Sequence, residues 1–306
     1  MAKWTTSDIP PQRGRSAVIT GTGGLGYETA LALARAGADV IIAGRDPAKG
    51  QAAVTRIREA VPNAIVQFEL VDLANLKSIA TFGTRLRRIR SSLDLLINNA
   101  AVMMPPTRME TSDGFELQFG TNYLGHFALT GELLPLLIEG NSPRIVTVSS
   151  VAARSGAIDF TDLQAIHAYK PMSVYAQSKL ANLMFAFELQ RRSDRAGWDI
   201  ASIAAHPGVS RTDLIHNGVG RLSVAGFARS YLWFLFQPAP QGALPTLFAA
   251  TSPAARAGGY YGPDKLSETR GYPAPAKPPQ QALDGEVAAR LWNISEQLVL
   301  LKERTQ

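Results

Sequence analysis

Tyr175 and Lys179 stand four residues apart in Tyr-Ala-Gln-Ser-Lys, 25 residues after Ser150, the second of a Ser-Ser pair. On a helix this spacing puts the phenol and the ammonium on one face, a turn apart. An ammonium beside a phenol favours the phenolate and lowers a pKa that is otherwise about 10. Such a tyrosine exchanges protons near neutral pH and can act as a general acid or base. The same spacing recurs by chance on exposed helix faces, so the pair gains meaning only from the elements that position it.

Those elements alternate. Short apolar runs at Ser16–Thr20, Asp39–Ala43, Ala64–Leu70, Leu93–Asn98, Arg144–Ser149 and Asp199–Ala204 read as strands, and Gly259–Tyr261 as a short last one. Helical patterns fall at Gly24–Ala36, Pro47–Val61, Leu76–Ile89, Gly114–Glu139, Ser173–Arg192 and Glu286–Leu301. The runs are rich in Val, Ile and Leu without alternation, as in parallel strands buried on both faces. The order predicts an α/β fold with a doubly wound parallel sheet, whose ligands bind beyond the carboxyl ends of the strands.

With 306 residues, 46% hydrophobic and 18% charged, the chain suits one large domain, and no linker or repeat divides it. Cysteine is absent, so disulfides and thiolate chemistry are excluded; an intracellular, cytoplasmic setting is expected. His126, His167, His206 and His216 are scattered, and no metal site is expected. The net charge is +6. Its densest cluster, Arg85, Arg87, Arg88 and Arg90, reads as a solvated helix face rather than a nucleic-acid patch. The first fifteen residues, MAKWTTSDIPPQRGR, hold no apolar run, so no secretory signal is expected there. The apolar stretch near 222–236 is too short to span a bilayer and is interrupted by Arg229.

The glycine turn Thr20-Gly21-Thr22-Gly23-Gly24-Leu25-Gly26 follows the first strand and opens a helix. Glycines there let backbone amides approach a pyrophosphate at the positive helix end. At the end of the second strand, where an acid would hold the ribose hydroxyls of NAD, stands Gly44, followed by Arg45 and Asp46. A guanidinium fork suits a 2′-phosphate, favouring NADP. The competing reading has Asp46 on the ribose of NAD and Arg45 merely solvated.

Four further segments follow strands: Val71-Asp72-Leu73, Asn98-Asn99-Ala100-Ala101, Val148-Ser149-Ser150 and His206-Pro207-Gly208. Together with the glycine turn and Tyr175/Lys179, the chain from about Ser16 to Tyr261 resembles the short-chain dehydrogenase/reductase family. Phe119-Gly120-Thr121-Asn122-Tyr123-Leu124-Gly125-His126-Phe127, the long Ser-to-Tyr gap and Arg290–Glu296 are similar to its retinol-dehydrogenase-like and WW-domain-oxidoreductase-like branch.

The resemblance implies a Rossmann-type single domain: a core of about 14–262, a substrate lid of about 213–241 and a C-terminal extension of 263–306. It implies a pyrophosphate turn of Gly21, Thr22, Gly24, Leu25 and Gly26. Asp72 and Leu73 would flank the adenine, with Asn99 and Ala100 on the adenosine side, and Pro207, Gly208, Val209 and Thr212 would line the nicotinamide. Asn122 would support a water relay. Ser150, rather than Ser149, would bind the reacting oxygen, Tyr175 would exchange the proton, and Lys179 would hold the ribose and depress the tyrosine pKa. A homo-oligomer is also implied. A cofactor-sensing regulator on the same fold is the alternative, but such proteins lose the Tyr/Lys pair.

Two departures stand out. The glycine turn is one residue shorter than the usual T-G-x-x-x-G-x-G, and Ala101 replaces the glycine of N-N-A-G. If that backbone needs a positive φ, alanine is uncomfortable there. On the substrate side, the aromatic stretch Phe227–Phe236 reads as core helix, apolar lid or membrane-surface helix. The Ala152–Val174 insertion, with Phe160, Tyr169 and Met172, would add a further wall. Few charges lie in either segment, so a bulky hydrophobic ketone, aldehyde or alcohol is expected rather than a sugar phosphate or acid.

Overall fold

The computed structural model describes residues 3–210 and 237–303. Eight strands form one sheet: β1 (Ser16–Thr20), β2 (Asp39–Gly44), β3 (Val66–Leu70), β4 (Leu95–Asn98), β5 (Arg144–Val148), β6 (Ala201–Ala205), β7 (Tyr260–Lys265) and β8 (Arg270–Pro275). Their order is β3-β2-β1-β4-β5-β6-β7-β8. Every pairing up to β7 is parallel, and only β8 runs antiparallel.

Alternate residues of each central strand serve different cores. Val18, Ile41, Leu96 and Ile145 face one layer, where Phe82, Leu129, Leu133 and Leu183 pack. Ala17, Ile19, Val40, Ile42, Leu95 and Val146 face the other, with Leu33, Ile57 and Leu247. Burial on both faces is why the strands read as unbroken apolar runs.

Helices α1 (Gly24–Arg35), α2 (Pro47–Ala60) and α3 (Leu76–Ile89) follow the first three strands. The helical pattern over Gly114–Glu139 begins later than expected. It comprises α4 (Leu117–Phe119), a π-helical turn (Gly120–Leu124) and α5 (Gly125–Ile138). Helix α6 (Pro171–Ala196) carries Tyr175 and Lys179, and its Pro171 start suits a first-turn position that needs no N–H.

Two elements were not expected. Helix α7 (Ala239–Thr251) packs on the sheet through Leu247 and Ala250, and residues 239–241 form its first turn. Pro245 inside it obscures its helical pattern. The edge strand β8 carries Pro273 and Pro275, which read as turn residues; proline is tolerated on an edge because that side lacks a neighbouring ladder. The C-terminal helix α8 (Gly285–Glu303) lies against α6, with Trp292 stacked on Phe185 at 5.6 Å.

The arginine cluster of α3 is not simply solvated. Arg85 pairs with Glu69 at 2.8 Å, Arg87 with Glu132 at 2.6 Å and Arg90 with Asp39 at 2.6 Å, tying the helix to its neighbours. No helix among the described residues is long and apolar enough to cross a membrane.

Candidate active site

The glycine turn lies where β1 hands over to α1, and its shape requires glycine at two points. A Cβ on Gly26 would sit 2.4 Å from the Gly21 carbonyl oxygen and 2.8 Å from Asn99 Nδ2. Gly21 has φ +100°, and a Cβ there would meet Asn99 Nδ2 at 2.9 Å. Asn99 in turn donates from Nδ2 to the Thr20 carbonyl at 2.8 Å, so it braces the turn from behind. Gly23 caps α1 without a side chain, leaving the first helical amides of Gly24 and Leu25 no side-chain acceptor. That is the arrangement an anion at a helix N-terminus requires.

Beside the turn, a cleft of about 260 Å³ gathers Gly21, Thr22, Arg45, Asp72, Leu73 and Ala100 from four strand ends. Val71 and Thr121, from two of the motifs, also line it, as do Lys49 and Val102, which carry no motif. Gly24, Leu25, Gly26 and Asn99 stand outside this lining. Among the described residues, three larger grooves lie elsewhere, on the helix faces, at the β7–β8 edge and beside the 197–201 segment, and hold none of these residues. The Asp46 carboxylate is engaged in capping α2, where its Oδ1 accepts from the Lys49 amide at 3.1 Å. Arg45 is exposed and makes no ion pair among the described residues.

The backbone at Ala101 is not left-handed, so the alanine there meets no penalty. The positive φ falls instead at Met104, at 51°. Met103 and Met104 pack with Ala152 and Tyr175 in a small apolar cluster.

Tyr175, Ser150 and Lys179 meet beyond the ends of β5 and β6. Ser150 lies close enough to the Tyr175 phenol to draw its pKa down, and its Oγ accepts from the Ala152 amide at 3.2 Å. Ser149 is turned away and buried, donating to the Lys179 carbonyl at 2.7 Å. Lys179 is 2% exposed, with Nζ donating to the Val148 carbonyl at 3.1 Å and lying 5.9 Å from the Tyr175 ring centre. Burial governs both titrations. It pushes the Tyr175 phenol up to about 12, against a downward pull from Ser150. It pushes the Lys179 ammonium down to about 7. Desolvation disfavours the charged form of each, a phenolate at Tyr175 and an ammonium at Lys179.

Asn122 sits in the π-helical turn. Its Oδ1 accepts from the Val102 amide at 2.7 Å, and its Nδ2 donates to the Val102 carbonyl at 2.9 Å and to Ser178 Oγ at 3.0 Å. Its side chain is thus committed to holding the post-β4 loop against α6. His126 Nδ1 lies 2.9 Å from the Asn122 carbonyl, an acceptor, so that nitrogen carries the proton and Nε2 accepts from Thr20 Oγ1 at 2.9 Å. Burial lowers His126 to about 4 and keeps the ring neutral.

After β6, Pro207, Gly208 and Val209 form a loop held by residues with no sequence signal. Gln237, 1% exposed, donates from Nε2 to the Pro207 carbonyl at 2.5 Å and from its amide to the Val209 carbonyl at 3.0 Å. Gly208 has φ +65°, and a Cβ there would lie 2.3 Å from the Thr269 carbonyl oxygen. Thr212 and the aromatic stretch Phe227–Phe236 lie outside the described residues. In the insertion, Phe160 packs under Arg290 at 4.0 Å rather than walling the site. The Tyr169 hydroxyl donates to the Pro105 carbonyl at 2.9 Å, and Met172 is 46% exposed.

Against known proteins, the family model described as short chain dehydrogenase matches residues 15–219. The chain belongs to the short-chain dehydrogenase family. Within it, the curated relatives include mouse polyprenol dehydrogenase, 41% identical over 93% of this chain and 83% of the relative. Mouse retinol dehydrogenase 13 is 40% identical over 94% of this chain and 84% of the relative. These place the short-chain dehydrogenase described here in the retinol-dehydrogenase-like branch. A crystal structure of an uncharacterised protein from Mycobacterium paratuberculosis shares the fold with a TM-score of 0.81 and 40% identity, covering 97% of this chain and 98% of that one. A Shigella flexneri short chain dehydrogenase, complexed with NADP, matches at a TM-score of 0.65 and 20% identity over 83% of this chain and 98% of its own. The chain is an oxidoreductase of this family.

Proposed function

We propose that the protein is an NADP(H)-dependent oxidoreductase that interconverts bulky hydrophobic alcohols with their aldehydes or ketones, with Tyr175 as the acid/base. The observation that carries this reading is the meeting of Tyr175, Ser150 and Lys179 beside the 207–209 loop, one strand end from the glycine-turn cleft.

The cleft suits the dinucleotide. Gly21 and Gly26 leave the space that side chains would fill, and the uncapped amides of α1 suit a pyrophosphate. Arg45 offers a cation, unpaired among the described residues, at the ribose end, while Asp46, which also lines the cleft, caps α2 through Oδ1 and has Oδ2 4.0 Å from Lys49 Nζ. That charge pattern supports NADP over NAD. When bound, the nicotinamide supplies or accepts the hydride.

The chain's own residues handle the oxygen and its proton. In reduction, charge grows on the carbonyl oxygen; the Tyr175 hydroxyl donates its proton there, and the Ser150 hydroxyl donates a hydrogen bond. Lys179 uses one proton on Val148, and its others are free for the ribose hydroxyls. Met103, Met104 and Ala152 present an apolar surface around Tyr175. The relatives named for retinol and polyprenol are consistent with a long apolar alcohol.

The test is Tyr175→Phe. The variant should bind NADPH as tightly as the wild type and lose nearly all turnover on a panel of alkyl and aryl ketones and aldehydes, followed by NADPH absorbance. Near wild-type turnover would sink the acid/base role. Highest activity on small charged keto acids would sink the apolar substrate class.

A further inference from the structure

The β7–β8 turn carries three consecutive non-glycine residues in the left-handed region: Leu266 at φ 48°, Ser267 at 54° and Glu268 at 66°. Each is sterically disfavoured for an L-residue, and such a run persists only where surrounding contacts over-determine it. The contacts here converge on one carboxylate. Glu268 Oε2 accepts from Arg154 Nη2 at 2.6 Å and from His206 Nε2 at 3.0 Å, and Oε1 accepts from the Lys277 amide at 3.0 Å. His206 Nδ1 accepts from the Gly208 amide at 3.2 Å, so the ring proton is on Nε2 and points at Glu268. The same turn supplies two carbonyls. Thr269 accepts from the Val209 amide at 2.8 Å, and Ser267 from Arg154 Nη1 at 3.0 Å.

Arg154 lies in the short 3-10 helix Val151–Ser155, capped by Ser150 itself. His206 opens the 207–209 loop. The strained turn therefore joins, through one side chain, the segment that carries Ser150 and the loop assigned to the nicotinamide.

We propose that Glu268 is a positioning residue that sets the separation between the Ser150/Tyr175 proton site and the hydride face. This rests on the functional reading above. Hydride transfer depends on near-attack geometry, and a displacement of about an ångström costs on the order of a hundredfold in rate. A carboxylate bridging a guanidinium and an imidazole N–H at short distance is suited to holding that separation.

The experiment uses the full chain with Glu268→Ala, Glu268→Gln, Arg154→Ala and the Arg154→Ala/Glu268→Ala double variant. Four quantities are measured: kcat on the best ketone or aldehyde of the panel, NADPH affinity by fluorescence, affinity for the adenosine fragment 2′-phospho-ADP-ribose, and the melting temperature. Glu268→Ala should lower kcat about 10- to 100-fold and weaken NADPH several-fold, while fragment affinity stays within about twofold. Glu268→Gln, which keeps an acceptor, should recover part of the loss. The double variant should be no worse than Glu268→Ala alone, as for groups acting as one unit. The proposal is overturned if kcat is unchanged, if the two single losses simply multiply, or if fragment and NADPH affinities fall together as in a general loosening. Should Glu268→Ala not fold, Glu268→Gln carries the same comparison. A wild type that binds no NADPH would sink the functional reading, and this inference with it; intact binding with an indifferent Glu268→Ala sinks the positioning role alone.

Discussion

Lys179 offers a test in which stability and activity move in opposite directions. Its ammonium is buried, with one hydrogen bond to Val148, and burial brings its pKa from 10.5 down to about 7. Between those values the unfolded chain binds a proton that the folded chain does not, so stability rises with pH across the window. Above pH 10.5 both states are neutral and the penalty is gone; below about pH 7 it is fully present. The drop corresponds to at most something on the order of 5 kcal/mol. Loss of the Val148 bond in a Lys179→Met variant offsets part of this, although Asn182 Nδ2 still donates to that carbonyl at 3.2 Å. The variant is expected to be more stable than the wild type by roughly 1–3 kcal/mol at pH 7, and nearly inactive. Urea unfolding of both proteins from pH 6 to 10 measures the difference directly and cancels other titrations. The gap should be widest near pH 6–7 and close steadily as pH rises. A variant less stable at pH 7, or a gap flat across the range, would refute the account of a desolvated ammonium.

Two further outcomes concern the cofactor cleft. Arg45→Ala/Lys49→Ala should raise the KM for NADPH on the order of 10- to 100-fold while changing that for NADH little, because only the former carries a 2′-phosphate; equal changes would remove both residues from phosphate recognition. Gly26→Ala should abolish dinucleotide binding and lower stability by roughly 1–3 kcal/mol, since the new methyl meets a backbone carbonyl at 2.4 Å. A variant that binds as well as wild type by titration would mean that the turn relaxes freely.

Much of the sheet was legible because each central strand is buried on both faces. Val18 and Ile19 serve opposite cores, so the run could not alternate with polar residues. The strand ends, and with them Gly21, Asp72, Ser150 and Pro207, followed from that reading. What stayed hidden has local causes. Helix α7 was masked by Pro245 and strand β8 by Pro273 and Pro275, because proline weakens the periodic signal of either element. The arginines of α3 read as solvated because their carboxylate partners lie on other elements, as Glu69, Glu132 and Asp39 do.

The site divides along the same line. A tyrosine and a lysine one helical turn apart, a serine at a strand end and glycines where a strand meets a helix are local facts, and the residue order alone sets them. The sequence by itself thus determined the alternating layers, the strand-end motifs and the chemistry open to Tyr175, Ser150 and Lys179. Titration and bracing depend on what surrounds each group in three dimensions. Only the fold decided that burial is the leading influence at Tyr175 and Lys179, since desolvation is set by neighbours from distant segments. Only the fold brought Gln237, Glu268 and Arg154 behind the 207–209 loop, because hydrogen bonds between remote elements leave no spacing in the chain.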